Sequence, residues 1–159
     1  MRAAVKLSAI DQEHLQELYD AAGVPRDQLP YTPAYDSLCE DFQNRSFKNA
    51  HKEQVYAALL KYTRSGTNTG PAPQDSTLNP DQKKQLKTIL PRHGRTGKIL
   101  PYSDELEAAR LEFNKLAGLS LSEGEFWQAI IAMQGARRRP PKRAAKPAAV
   151  EASDADDDE

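Results

Sequence analysis

Leu29-Pro30-Tyr31, followed by Thr32, returns 71 residues later as Leu100-Pro101-Tyr102, followed by Ser103. No other feature restricts the fold as much, because both copies carry their surroundings with them. Phe42 and Phe113 stand at one distance beyond the tyrosines, and Val55/Phe126, Tyr56/Trp127, Ala58/Ala129, Leu59/Ile130 and Leu60/Ile131 follow in register without a gap. Upstream, Leu7/Leu78, Leu15/Leu86, Leu18/Ile89 and Gly23/Gly94 keep the same spacing. Identical or conservatively apolar matches that cluster in this way are how a diverged duplication reads. The expectation is a tandem repeat.

Apolar spacing says what is repeated. Ser8 is placed to cap a helix running to about Ala22, with Leu15, Leu18, Tyr19 and Ala22 on one face and Gly23 as its C-terminal residue. Its counterpart opens at Asn79-Pro80, with Gln82 able to reach back to the cap, and Pro91 is expected to interrupt it near Leu90. In each Leu-Pro-Tyr the proline holds the preceding leucine out of the helical region, and Thr32 and Ser103 are the next N-caps. Second helices follow with faces Tyr35, Leu38, Cys39, Phe42 and Leu106, Ala109, Phe113, Leu116. Third helices are expected from Asn49 and from Ser120 or Ser122. Their faces are Val55, Ala58, Leu59, Tyr62 and Phe126, Ala129, Ile130, Met133, widened by Tyr56/Trp127 and Leu60/Ile131.

The fold expected is therefore all-α: two homologous three-helix units, 5–66 and 78–136, joined by a linker over 67–77 and followed by a disordered polyampholyte tail over 137–159. Units of about sixty residues are near the lower limit for an independent core. The two are thus expected to pack together in a pseudo-twofold arrangement, as a monomer. No run of eighteen apolar residues and no basic segment leading into an apolar stretch appears, so the reading is a cytoplasmic protein with no membrane segment. The single cysteine, Cys39, has no second thiol to pair with, fits a reducing compartment, and is placed in the core.

Charge is segregated although the net charge is only -1. Residues 1–44 hold three Lys/Arg against eight Asp/Glu, and residues 99–136 hold two against six. Between them, residues 45–98 hold eleven cations, Arg45, Lys48, Lys52, Lys61, Arg64, Lys83, Lys84, Lys87, Arg92, Arg95 and Lys98, against three acids. The tail adds Arg137, Arg138, Arg139, Lys142 and Arg143 before its acidic end, a composition similar to basic chromatin-protein tails but without the Arg-Gly-Arg-Pro core. These cations are the candidate polyanion contacts. The alternative is that they neutralise the acidic flanks.

Catalytic and metal constellations are not legible. His14, His51 and His93 lack partners at metal-ligand spacing, and Gly94-Arg95-Thr96-Gly97-Lys98 lacks both the glycine spacing and the hydroxyl of a phosphate-binding loop. Tyr31 and Tyr102 are expected to pack beneath their loops, and Trp127, like Tyr56, to serve packing. Against a helix-turn-helix template the third helix of unit two opens with Glu123, Glu125 and Gln128, unsuited to base reading, whereas Asn49, His51, Lys52 and Gln54 in unit one suit it better. The functional expectation is a non-enzymatic interaction module that binds a partner protein and carries no cofactor. The alternative is a nucleic-acid-binding protein using residues 45–98 and the basic tail.

Overall fold

The computed structural model describes residues 5–62, 78–94 and 99–138. They form six α-helices: α1 (Ala9–Ala22), α2 (Pro33–Ser46), α3 (Lys52–Tyr62), α4 (Pro80–His93), α5 (Asp104–Ala117) and α6 (Glu123–Arg138). A single 3-10 turn, Arg26–Gln28, lies between α1 and α2, and no strand occurs among the described residues. The linker 67–77 and the tail beyond Arg138 lie outside those residues. Helix α6 itself runs through Arg137 and Arg138, two residues into the segment expected to begin the tail.

Local chemistry explains where the helices begin. Ser8 caps α1 in a reciprocal box with Asp11, and Asn79 caps α4 in the same way with Gln82. Thr32 and Ser103 accept from the amides of Tyr35 and Leu106, and each hydroxyl also donates to a carbonyl behind it, Leu29 at 2.6 Å and Leu100 at 2.7 Å. Helix α3 starts at Lys52 rather than Asn49, because the Gln54 side chain accepts from the His51 amide and fixes the first turn there. Of the two serines offered for α6, Ser122 is used, paired with Glu125. Pro91 does not stop α4, which continues to His93. In the last turn a proline forfeits only one intrahelical bond, and the Gly94 amide still closes on the Leu90 carbonyl at 3.1 Å.

The boundaries recur at the spacing of the tyrosines: α1 and α4, then α2 and α5, are 14 residues each and start 71 residues apart. Hydrogen bonds from α2 and α5 to the turns that follow them recur too. Gln43 Nε2 donates to the Ala50 carbonyl at 2.7 Å, and Asn114 Nδ2 to the Leu121 carbonyl at 3.0 Å. Phe42 and Phe113 are both fully buried. Buried side chains of all six helices belong to one hydrophobic cluster. Two residues of the expected apolar faces depart from it: Leu116 and Leu60 are exposed. Position 116 lies seven residues after Ala109, at the edge of the face that Leu106, Phe113 and Ala117 turn to the core.

The halves meet through their tyrosines. Tyr31 and Tyr102 both take left-handed backbone conformations, φ 63° and 60°, which cost a tyrosine about 1 to 2 kcal/mol each. In that geometry each backbone N–H donates to the other's hydroxyl, Tyr31 N to Tyr102 Oη at 2.5 Å and Tyr102 N to Tyr31 Oη at 2.8 Å. The rings lie 4.3 Å apart between centroids. Tyr35 stacks on the far side of Tyr102 at 5.6 Å, and Tyr56 meets Trp127 edge-on at 5.8 Å. Trp127 reaches across to donate its indole N–H to the Asp27 carbonyl at 2.9 Å. Gly124 packs so closely on Tyr31 that a β-carbon there would stand 3.2 Å from the tyrosine's own.

Candidate functional site

The cations singled out from the sequence divide by what they touch. Arg45 pairs with Glu17 at 3.5 Å, Lys52 with Asp36 at 2.6 Å, and Arg92 with Glu112 at 3.2 Å. Lys48 binds Asp11 and also donates to the Lys6 carbonyl at 3.1 Å, and Lys84 lies 3.7 Å from Asp81. Apart from the Lys84–Asp81 pair, which lies within α4, these contacts join the basic middle to the acidic flanks within each half: α1 and α2 acids hold Arg45, Lys48 and Lys52, and the α5 acid Glu112 holds Arg92 together with His93 at 2.5 Å. Lys61, Lys83 and Lys87 have no carboxylate partner among the described residues. Arg64, Arg95, Lys98, Arg139, Lys142 and Arg143 lie outside the described residues, and Arg137 and Arg138 are described in backbone only.

Electrostatics differ sharply between the surface pairs and the Lys48 pair. Asp11 is buried, and the Lys48 ammonium together with the Ser8 amide and hydroxyl holds its carboxyl at about 2, against an ordinary 3.8. Glu112 is lowered chiefly by its hydrogen bond to His93, and Glu125 by the Ser122 amide. Burial pushes the Tyr31, Tyr35, Tyr56 and Tyr102 phenols up, which keeps them neutral donors and acceptors at the junction. The Cys39 thiol, buried near Tyr35, is pushed up to about 11 and is no nucleophile at neutral pH.

Histidines do not converge. His51 is exposed, and His93 is taken by Glu112. Among the described residues no three His, Cys, Asp or Glu side chains come together in a metal-holding arrangement, and no helix is long and apolar enough to cross a membrane. The tyrosines expected beneath their own loops instead pack on each other across the molecule. A left-handed tyrosine carries no signature in composition or periodicity, and their shared register was the only signal that could have paired them.

What the sequence reading missed is a set of exposed large apolar side chains. Leu111 and Leu116 on α5 are 55% and 57% exposed, Ile10 on α1 is 64% exposed, and Phe47, just beyond α2, is 94% exposed. Offset by 71 residues, the matching positions hold Glu40, Arg45, Asp81 and Gly118. The same helix positions are thus served elsewhere in this molecule by polar side chains or by glycine. No protein-family model matches the chain, and neither a curated protein nor a solved structure matches it.

Proposed function

We propose that the chain is a cytoplasmic, monomeric, non-enzymatic interaction module. It is built of two homologous three-helix units, 5–66 and 78–136, closed on each other about a pseudo-twofold axis at Tyr31 and Tyr102, and it binds a partner protein on the outer face of α5. What carries this reading is the contrast between two helices of equal length and like N-caps. On α2 the positions equivalent to Leu111 and Leu116 are Glu40 and Arg45, so the fold does not need leucines there. Two large apolar side chains held in water on one helix, with exposed Ala108 beside Leu111, offer the anchors that a partner helix packs on. A photo-crosslinking amino acid at Ala108 tests it in cells. Specific adducts should form with the native surface and vanish when Leu111→Glu and Leu116→Arg, the α2 residues, are combined with it. The thermal midpoint should stay close to that of the native chain, since both positions are exposed. Adducts that survive the double substitution remove the α5 face from the proposal.

The second reading is nucleic-acid binding by the cationic middle, and Lys61, Lys83 and Lys87 favour it because no carboxylate among the described residues holds them. Anisotropy titrations with random-sequence duplex at two salt concentrations separate the readings. A steep loss of affinity with salt supports it, and no binding at low salt removes it.

A further inference from the structure

At the end of α2 the backbone turns left-handed at Phe47, φ 53°. The equivalent residue closing α5 is Gly118, φ 65°. Glycine takes this conformation freely, whereas a phenylalanine is held there against the clash of its β-carbon with the following carbonyl. No burial compensates, for the ring is the most exposed large apolar side chain described. The turn that presents it is rigid: Ser46 Oγ donates to the Phe42 carbonyl at 2.7 Å, Gln43 braces Ala50, and Lys48 is tied to Asp11 and to the Lys6 carbonyl. A ring carried into water on a turn whose backbone is braced needs little further ordering of that backbone for contact. The fold itself gives no reason for it.

Its neighbourhood indicates what it contacts. From Gln43 to Lys52 the chain has no carboxylate, and Asn44, Arg45, Asn49, His51 and Lys52 are all exposed. Among the described residues Arg45 is held only by Glu17, in a pair whose members are themselves well exposed and exchange partners at little cost. Between residues 43 and 54 no other large apolar side chain is exposed, so the apolar area matches one planar base better than a protein segment. We propose that Phe47 is a stacking platform for an unpaired nucleobase of single-stranded nucleic acid, with Arg45, two residues before it, taking the adjoining phosphate. This surface lies on the α2–α3 turn, apart from the α5 face, and does not depend on the partner-protein reading.

The test uses the full chain and a labelled oligothymidylate about 15 nucleotides long, with oligouridylate, an abasic strand and a duplex of the same length as comparisons. Tighter binding of either unpaired strand than of the abasic strand or the duplex supports the site. One phosphate contact sets the slope of log affinity against log salt at about -0.7. Phe47→Gly should weaken unpaired-strand binding about tenfold, within what one base–aromatic stack supplies, while the thermal midpoint holds or rises because glycine relieves the turn. Phe47→Leu should lose the same affinity, since it keeps an apolar side chain without a π-face. The proposal is overturned by equal affinity for the abasic strand or the duplex, by Phe47→Gly binding within twofold of the native chain, by Phe47→Leu retaining native affinity, or by no binding at the lower salt.

Discussion

Asp11 is the residue at which charge and stability are most directly coupled. Its carboxyl titrates at about 2 in the fold and at an ordinary 3.8 in the unfolded chain. A depressed folded value stabilises above the unfolded pKa and is lost as pH falls through the folded one. The pair with Lys48 and the cap with Ser8 therefore contribute about 2 kcal/mol near neutral pH, lost between 3.8 and about 2. Asp11→Asn should cost about that amount at neutral pH in denaturant melts. It should also remove this increment of acid sensitivity, whereas an unchanged acid limb would assign the sensitivity elsewhere. Cys39 makes a second residue-scale case. With the thiol buried and raised to about 11, a disulfide-exchange reagent should leave the folded protein unmodified and titrate one thiol in denaturant. Stoichiometric labelling of the native chain within minutes would contradict the burial.

Helices here are specified at their ends as much as along their faces, and the ends can be tested separately. Ser8→Ala and Asn79→Ala each remove one half of a reciprocal capping box and should each cost about 1 kcal/mol, with Thr as replacement recovering most of it. Truncating the core is a larger change: Phe113→Ala, at a fully buried position in contact with Phe126, should cost about 3 to 5 kcal/mol. Equilibrium denaturation separates the two classes. Caps and faces were legible in the sequence because both depend on neighbours within a turn or two: Ser8, Asn79, Thr32 and Ser103 stand where their chemistry places them, and Phe42 and Phe113 are buried as their spacing requires. What was not legible depends on distant partners. Leu116 fits the apolar period of α5 yet is exposed, while Ala117 beside it packs on the core, and nothing local marks how wide the covered face is. Pro91 is a helix breaker by propensity, but its effect depends on how many turns remain after it, and fewer than one does. The basic middle was visible as a charge run, whereas the carboxylates that hold Arg45, Lys48, Lys52 and Arg92 come from elements up to 37 residues away.

At the scale of the whole molecule, the reciprocal tyrosines make the two halves one body. Each hydroxyl satisfies a backbone N–H that the left-handed turn would otherwise leave in a half-buried junction. Contacts that are mutual between residues at one fixed sequence offset have the form of an isologous interface, in which the same patch on both partners meets itself. Here the two patches belong to one chain, so neither half can shift without breaking both bonds. Tyr31→Phe should leave the Tyr102 N–H without an acceptor, Tyr102→Phe the Tyr31 N–H, and each should cost about 1 kcal/mol or somewhat more. Because the rings also stack at 4.3 Å, the costs should not add. A double-mutant cycle should return a coupling of about 0.5 kcal/mol or more. The same link predicts how the chain melts. The native protein should unfold in one transition, with calorimetric and van't Hoff enthalpies equal. Tyr102→Ala removes the stacks on Tyr31 and Tyr35, the cation–π contact with Lys52 and the acceptor for the Tyr31 N–H at one stroke. It should broaden or divide the transition as the halves melt separately. A Tyr102→Ala melt that stays single and sharp would mean that Trp127, through Tyr56 and the Asp27 carbonyl, suffices to hold the halves together, and Trp127→Phe in that background should then divide it.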